Sequence, residues 1–116
     1  MKLTISERGV LLVVKFHNVY GMDVLNQGRA DLIAALAAAK SRKLSTVILD
    51  LTGIQVNYED VGLALLVLRQ TELGVAVCGL NQHSQDKFKM LGISYLIEVP
   101  KFPDIESAIA ALSEAA

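Results

Sequence analysis

Two short aliphatic runs, Thr46–Leu51 (TVILDL) and Val75–Leu80 (VAVCGL), flank a segment long enough to hold a helix. Each run is too short for a core helix, and neither alternates like a strand with one wet face. Runs of this kind are strands covered on both faces, the signature of a parallel sheet between helical layers. Parallel neighbours need a crossover, and the chain from 52 to 74 provides the length for one.

The remainder of the chain fits that frame. Leu3–Ser6 alternates weakly, Glu7-Arg8-Gly9 reads as a turn, and Val10–Phe16 is valine-rich, so a hairpin is expected to enter the sheet. From Asp23 to Arg42 the spacing of Leu25, Arg29, Leu32 and Leu36, with Ile33 alongside, predicts a helix. Lys40 and Arg42 lie at its C-terminal end, where cations suit the helix dipole. Asp60 is expected to open a second helix that reaches Leu73 and stops at Gly74. Asn81 would cap a third, ending near Gly92, and Tyr95–Val99 reads as a last short strand. Pro100 and Pro103 break the chain, and Asp104 is placed to cap a final helix carrying Ile105, Ala108, Ile109 and Leu112. The expectation is one α/β domain over residues 1–116: a mixed sheet of four or five strands, about four helices, right-handed crossovers.

Composition narrows the function. With 53% hydrophobic residues and 5% aromatic, the core is built from aliphatic side chains. A net charge of −1 offers no electrostatic footprint for nucleic acid or an anionic membrane. The one cysteine, Cys78, excludes an internal disulfide and a thiolate zinc set, and it lies mid-strand, where a thiol is buried and inert. No apolar run has the length to span a bilayer, and Met1–Thr4 does not open a secretory leader, so a reduced cytoplasmic setting is expected. His17 and His83 lack metal-ligand spacing, no phosphate-binding or nucleophile motif occurs, and neither a metal nor a cofactor is expected. Asp50, Glu59 and Asp60 cluster near one strand end, where a small-molecule or nucleotide module, or an enzyme using Mg²⁺, would place its acids.

The sharpest feature is Val61–Leu68, Val-Gly-Leu-Ala-Leu-Leu-Val-Leu, which shows no polar residue for two helical turns. A helix apolar all round is either buried or covered by a partner. Two acids, Glu59 and Asp60, stand directly before it. There they meet the unpaired N–H groups and partial positive charge of a helix start.

TVILDLTGIQV, then GLALLVL, GVAVCGLNQ, MLGI and FPDIESAIAAL, resemble the STAS family, which includes the bacterial anti-sigma factor antagonists. The resemblance runs in order along nearly the whole chain, although before Thr46 it rests on strand and helix order alone. It implies a mixed sheet with helices and a non-catalytic domain that binds protein partners and is switched by phosphorylation of a serine. Asp50, Leu51, Thr52 and Gly53 match the family's D-L-S/T-G, and Gly62 and Leu63 match the G-L of its D-S-S-G-L turn. Glu59 stands where the family has Asp, Asp60 where it has the first Ser, and Val61 where it has the phosphorylated Ser. Val61 has no hydroxyl, so the usual switch is absent, Thr52 and Tyr58 being the neighbouring hydroxyls. Tyr58, Glu59, Asp60, Val61, Gly62, Leu63 and Leu66 are the expected partner-binding residues. The partner would be an anti-sigma factor or kinase. The alternatives are a STAS subunit of an ABC-type lipid transport complex, without direct membrane insertion, and a homodimer through the same apolar helix.

Overall fold

The computed structural model describes residues 2–17, 21–54, 67, 69, 71–82, 85–86 and 99–115. Strands β1 (Lys2–Arg8) and β2 (Leu11–His17) form a hairpin turned at Gly9, whose φ of 61° suits glycine. Helix α1 (Met22–Ser41) follows, then β3 (Thr46–Asp50), β4 (Gly74–Cys78), the two-residue β5 (Lys101–Phe102) and helix α2 (Ile105–Ala115). The sheet has the order β1-β2-β3-β4-β5. The β1–β2 pair is antiparallel and the other three pairs are parallel, the mixed sheet expected from the sequence.

Strand periodicity of two divides the core between the faces. Leu12, Val14 and Phe16 of β2 join Val47 and Leu49 of β3 and Val77 of β4 on one side. Against them α1 presses Leu32, Leu36 and Ala39, spaced four and three apart along one stripe. Arg29, which interrupts the pattern, is exposed. Leu11, Val13, Ile48 and Cys78 face the other way and meet Ala108 of α2, with Ile105, Ile109 and Leu112 packed around them. Phe16, Ile48 and Leu49 are fully buried, each contributing roughly 1.5–3 kcal/mol. Both runs that suggested doubly covered strands are therefore sandwiched between helices.

Three expectations need correction. Among the described residues two helices are delimited, not about four; Val67 and Arg69, and Gln82, Gln85 and Asp86, have helical backbone, but the rest of those two segments lies outside the described residues. Gly74 does not stop a helix in a left-handed turn. It is the first residue of β4, its N–H donating to the Ser45 carbonyl at 3.0 Å. The described strand that pairs with β4 is Lys101–Phe102; of the expected last strand Tyr95–Val99, Val99 lies in a bend and 95–98 are outside the described residues. Proline has no N–H, but Pro100 needs none here. Its carbonyl accepts from Val77 N at 2.9 Å, starting the ladder on an edge strand where proline is tolerated.

Candidate functional site

The strand register lines up Lys15, Asp50, Cys78 and Phe102 across β2, β3, β4 and β5 at the C-terminal ends of the parallel strands. In open α/β sheets that edge is where ligands and partners are usually met. Asp50 has the parity of Ile48, so its carboxylate leaves the sheet on the α2 side, where it is 5% exposed. A buried carboxylate demands donors. Thr52 supplies two, its N–H at 3.1 Å and its hydroxyl at 2.7 Å, both to Oδ1. Lys15 Nζ lies 3.7 Å from the same oxygen and donates to the Thr52 carbonyl at 2.8 Å. One acid thus organises both the lysine and the chain leaving β3.

That chain turns at once. Ile54 N donates to the Leu51 carbonyl at 3.1 Å, closing a four-residue turn. Gly53 sits third in it with a φ of 76°, a position that favours glycine. Leu51 N is held in turn by the Cys78 carbonyl at 3.0 Å, so the turn continues the β3–β4 ladder. Gly79 follows Cys78 with a φ of 71° and lies directly against Thr52: a Cβ there would come within 2.6 Å of the Thr52 backbone nitrogen and Cα. Its N–H donates to the Phe102 carbonyl at 3.1 Å, tying β5 to the same corner.

The Cys78 thiol is enclosed in this corner. Burial, then the Asp50 carboxylate beside it, to which the S–H donates, push its pKa up to about 12. Cys78 is thus the buried mid-strand thiol that the sequence indicates. Asp104, at the start of α2, accepts from Ser107 N at 2.7 Å and caps the helix; that bond holds its carboxyl below the usual carboxylate range. Asn81 precedes helical positions, and its carbonyl accepts from Gln85 N at 3.0 Å.

Of the residues singled out in the sequence, the structure brings Asp50, Thr52, Gly53 and Cys78 together. Tyr58, Glu59, Asp60, Val61, Gly62, Leu63 and Leu66 lie outside the described residues, as does His83. Two of the three acids considered for Mg²⁺, Glu59 and Asp60, are thus outside the described residues, among which no group of three His, Cys, Asp or Glu could hold a metal. Asp50 Oδ1 is already engaged by Thr52. His17 lies among the β1–β2 side chains, its Nε2 2.8 Å from Thr4 Oγ1. The sequence reading missed Lys15 and Gly79. Lys15 left a signal, being the one charge in the aliphatic run Leu11–Phe16. Gly79 left a weaker one, a glycine immediately after a buried strand.

No family model matches the sequence, and a search of curated proteins finds no match. Solved structures do match. A structure described as an anti-sigma-factor antagonist (STAS) domain protein from Planctomyces limnophilus superimposes with a TM-score of 0.76 at 14% identity, over 97% of this chain and 99% of that one. The chain has the fold of a STAS domain. An NMR structure of the protein TM1081 is also similar, with a TM-score of 0.64 at 10% identity over 92% of this chain and 84% of that one. At such identities the likeness shows the STAS fold alone. Within that fold, the D-L-T-G stretch Asp50–Gly53 is the clamped turn at the end of the middle strand, β3. Among the described residues no helix is long and apolar enough to cross a membrane.

Proposed function

We propose that this chain is a non-catalytic, protein-binding regulatory domain of the anti-sigma factor antagonist type, without a phosphorylation switch at the usual position. The observation that carries the reading is the Asp50–Thr52 clamp within a STAS fold. It fixes the exit of the middle strand, from which the chain runs to the segment Tyr58–Leu66. Ile54 before that segment and Val67 after it are buried in the same core cluster, so both its ends are anchored to the sheet. A protein-docking edge needs such a rigid mount more than it needs reactive groups.

Tyr58, Glu59, Asp60, Val61, Gly62, Leu63 and Leu66 are the proposed contact residues, on sequence grounds. Val61 lacks a phosphoacceptor, and the acids at 59 and 60 supply a permanent negative charge where phosphorylated relatives gain a removable one. Thr52 is a poor substitute acceptor, because its hydroxyl is already committed to Asp50. In a cytoplasmic setting the partner is an anti-sigma factor with kinase character.

The test is calorimetric titration of the chain with the anti-sigma kinases of its own genome, with and without ATP. One kinase is expected to bind, Leu63→Ala and Leu66→Ala are expected to abolish binding, and intact mass after incubation with ATP is expected to show no added phosphoryl group. Phosphorylation of Thr52 or Tyr58 would overturn the constitutive reading. Binding to an ATPase of a membrane transport complex, with no kinase bound, would move the domain to that role.

A further inference from the structure

We infer that the outer edge of β1 pairs antiparallel with β1 of a second copy, joining two sheets into one across a two-fold axis centred on Thr4. The strand stands first in the sheet order and is paired on one side only among the described residues. All seven of its residues keep unbroken register with β2, with no bulge and no proline. Edge strands that stay unpaired are usually blunted by such devices. Its uncharged stretch, Leu3-Thr4-Ile5-Ser6, lies between Lys2 and the pair Glu7-Arg8.

Register decides what a second copy would meet. A continuous sheet requires opposed residues to lie on the same face, so each strand must be centred on a residue, not between two. Centring on Ile5 sets Lys2 against Arg8, a like-charge pair, and Leu3 against Glu7. Centring on Ser6 sets Ile5 against Glu7. Centring on Thr4 sets Leu3 against Ile5 twice and Lys2 against Ser6, and leaves Glu7 and Arg8 outside the paired stretch.

Charge on the neighbouring helix agrees with the same axis. Between β1 and α1 run two open grooves. One, of about 430 Å³, lies at the Lys2–Leu3 end and carries Asp23 and Asp31 of α1. The other, of about 480 Å³, lies at the Ile5–Glu7 end, with alanines 34, 35 and 38 and Arg42 of α1 along it. The helix therefore runs alongside β1 in the same direction, and a two-fold at Thr4 brings the acidic half of one α1 towards the C-terminal half of the other, where Arg42 also holds Glu7 of its own chain at 2.7 Å. The occupant is a second copy of this chain, in an isologous pair, distinct from the partner edge proposed above.

Sedimentation equilibrium of the full chain is expected to show twice the 12.5 kDa monomer mass as concentration rises. Thr4→Cys should form a disulfide-linked dimer under mild oxidation, since opposed Cβ atoms at the axis lie roughly 4.5–5.5 Å apart, whereas Arg8→Cys should not. Native Cys78 is buried and stays out of that reaction. Asp23→Lys with Asp31→Lys should weaken the dimer by about tenfold or more. A monomer at every concentration, or equal crosslinking through positions 4 and 8, overturns the inference. The wild-type measurement needs no variant to fold.

Discussion

Gly79 packs face to face on the backbone of Thr52, so closely that a Cβ at 79 would lie within 2.6 Å of Thr52 N and Cα. Neither atom belongs to a flexible side-chain end that could swing away, and Gly79 is also in the left-handed region at a φ of 71°. Gly79→Ala therefore combines backbone strain with overpacking and is expected to cost about 2–5 kcal/mol. Gly9→Ala is the control: its φ is 61°, but nothing lies within 4 Å, and only the strain, about 1–2 kcal/mol, should appear. Urea midpoints of the two variants check the difference, and equal losses would show that contact with Thr52 carries no weight.

The carboxylate of Asp50 should couple to Thr52 more strongly than a surface hydrogen bond does. Asp50→Ala leaves the Thr52 N–H and hydroxyl without their acceptor in a corner where Asp50 is 5% exposed, and is expected to destabilise by roughly 2–4 kcal/mol. Thr52→Val removes the hydroxyl and keeps the shape. A double-mutant cycle between the two should return a coupling of about 1–2 kcal/mol. A coupling near zero would mean that the turn holds itself through the Ile54 N to Leu51 carbonyl bond alone.

Cys78 gives a direct readout of the same corner. Its thiol is pushed up to about 12 from an ordinary 9.0. At pH 8 to 9 the folded protein should resist iodoacetamide, and urea should release alkylation at the rate of a free cysteine. The linkage sign follows from the raised value. The unfolded thiol loses its proton first, so stability is full below 9.0 and falls as pH rises from there towards about 12. Rapid alkylation under native conditions would show that Asp50 and the sheet do not enclose the thiol.

These residues also show where sequence reasoning works and where it stops. TVILDL and VAVCGL are legible as doubly covered strands because lateral burial leaves an unbroken apolar run. Asp50 is conspicuous because a charge in such a run must be satisfied somewhere. Its partners are harder. Thr52 is two residues away and local, but Lys15 reaches it from β2 through a register that only the paired sheet defines. Gly79 is opaque for the same reason, since its constraint is the backbone of a residue on the next strand's exit. Strand propensity points to Tyr95–Val99, whereas the pairing with β4 that the structure describes is taken up by Lys101 and Phe102, beyond a proline. The proposed partner-binding segment Tyr58–Leu66 rests on composition and resemblance, and lies outside the described residues.

The α2 cap supplies a pH-dependent prediction of opposite sign to that of Cys78. Asp104 accepts the Ser107 N–H at 2.7 Å, and the bond stabilises the charged carboxylate, so the folded-state pKa lies below the unfolded 3.8. A depressed value means that the cap's contribution is complete above 3.8 and is lost as pH falls through the folded-state value. Asp104→Asn keeps a side-chain oxygen for Ser107 N but removes the charge, and should lower the melting temperature at pH 7 less than Asp104→Ala does. The variants should also differ from wild type less at pH 2.5 than at pH 7, because below 3.8 the unfolded carboxylate is protonated and the cap's contribution shrinks as pH falls. Helix α2 covers Leu11, Val13, Ile48 and Cys78 through Ala108, so a loosened cap should also speed alkylation of Cys78. Thermal melts by circular dichroism at the two pH values, with the alkylation rate at pH 8, test both consequences; a wild-type advantage over Asp104→Ala that stays the same at both pH values would remove the carboxylate from the account.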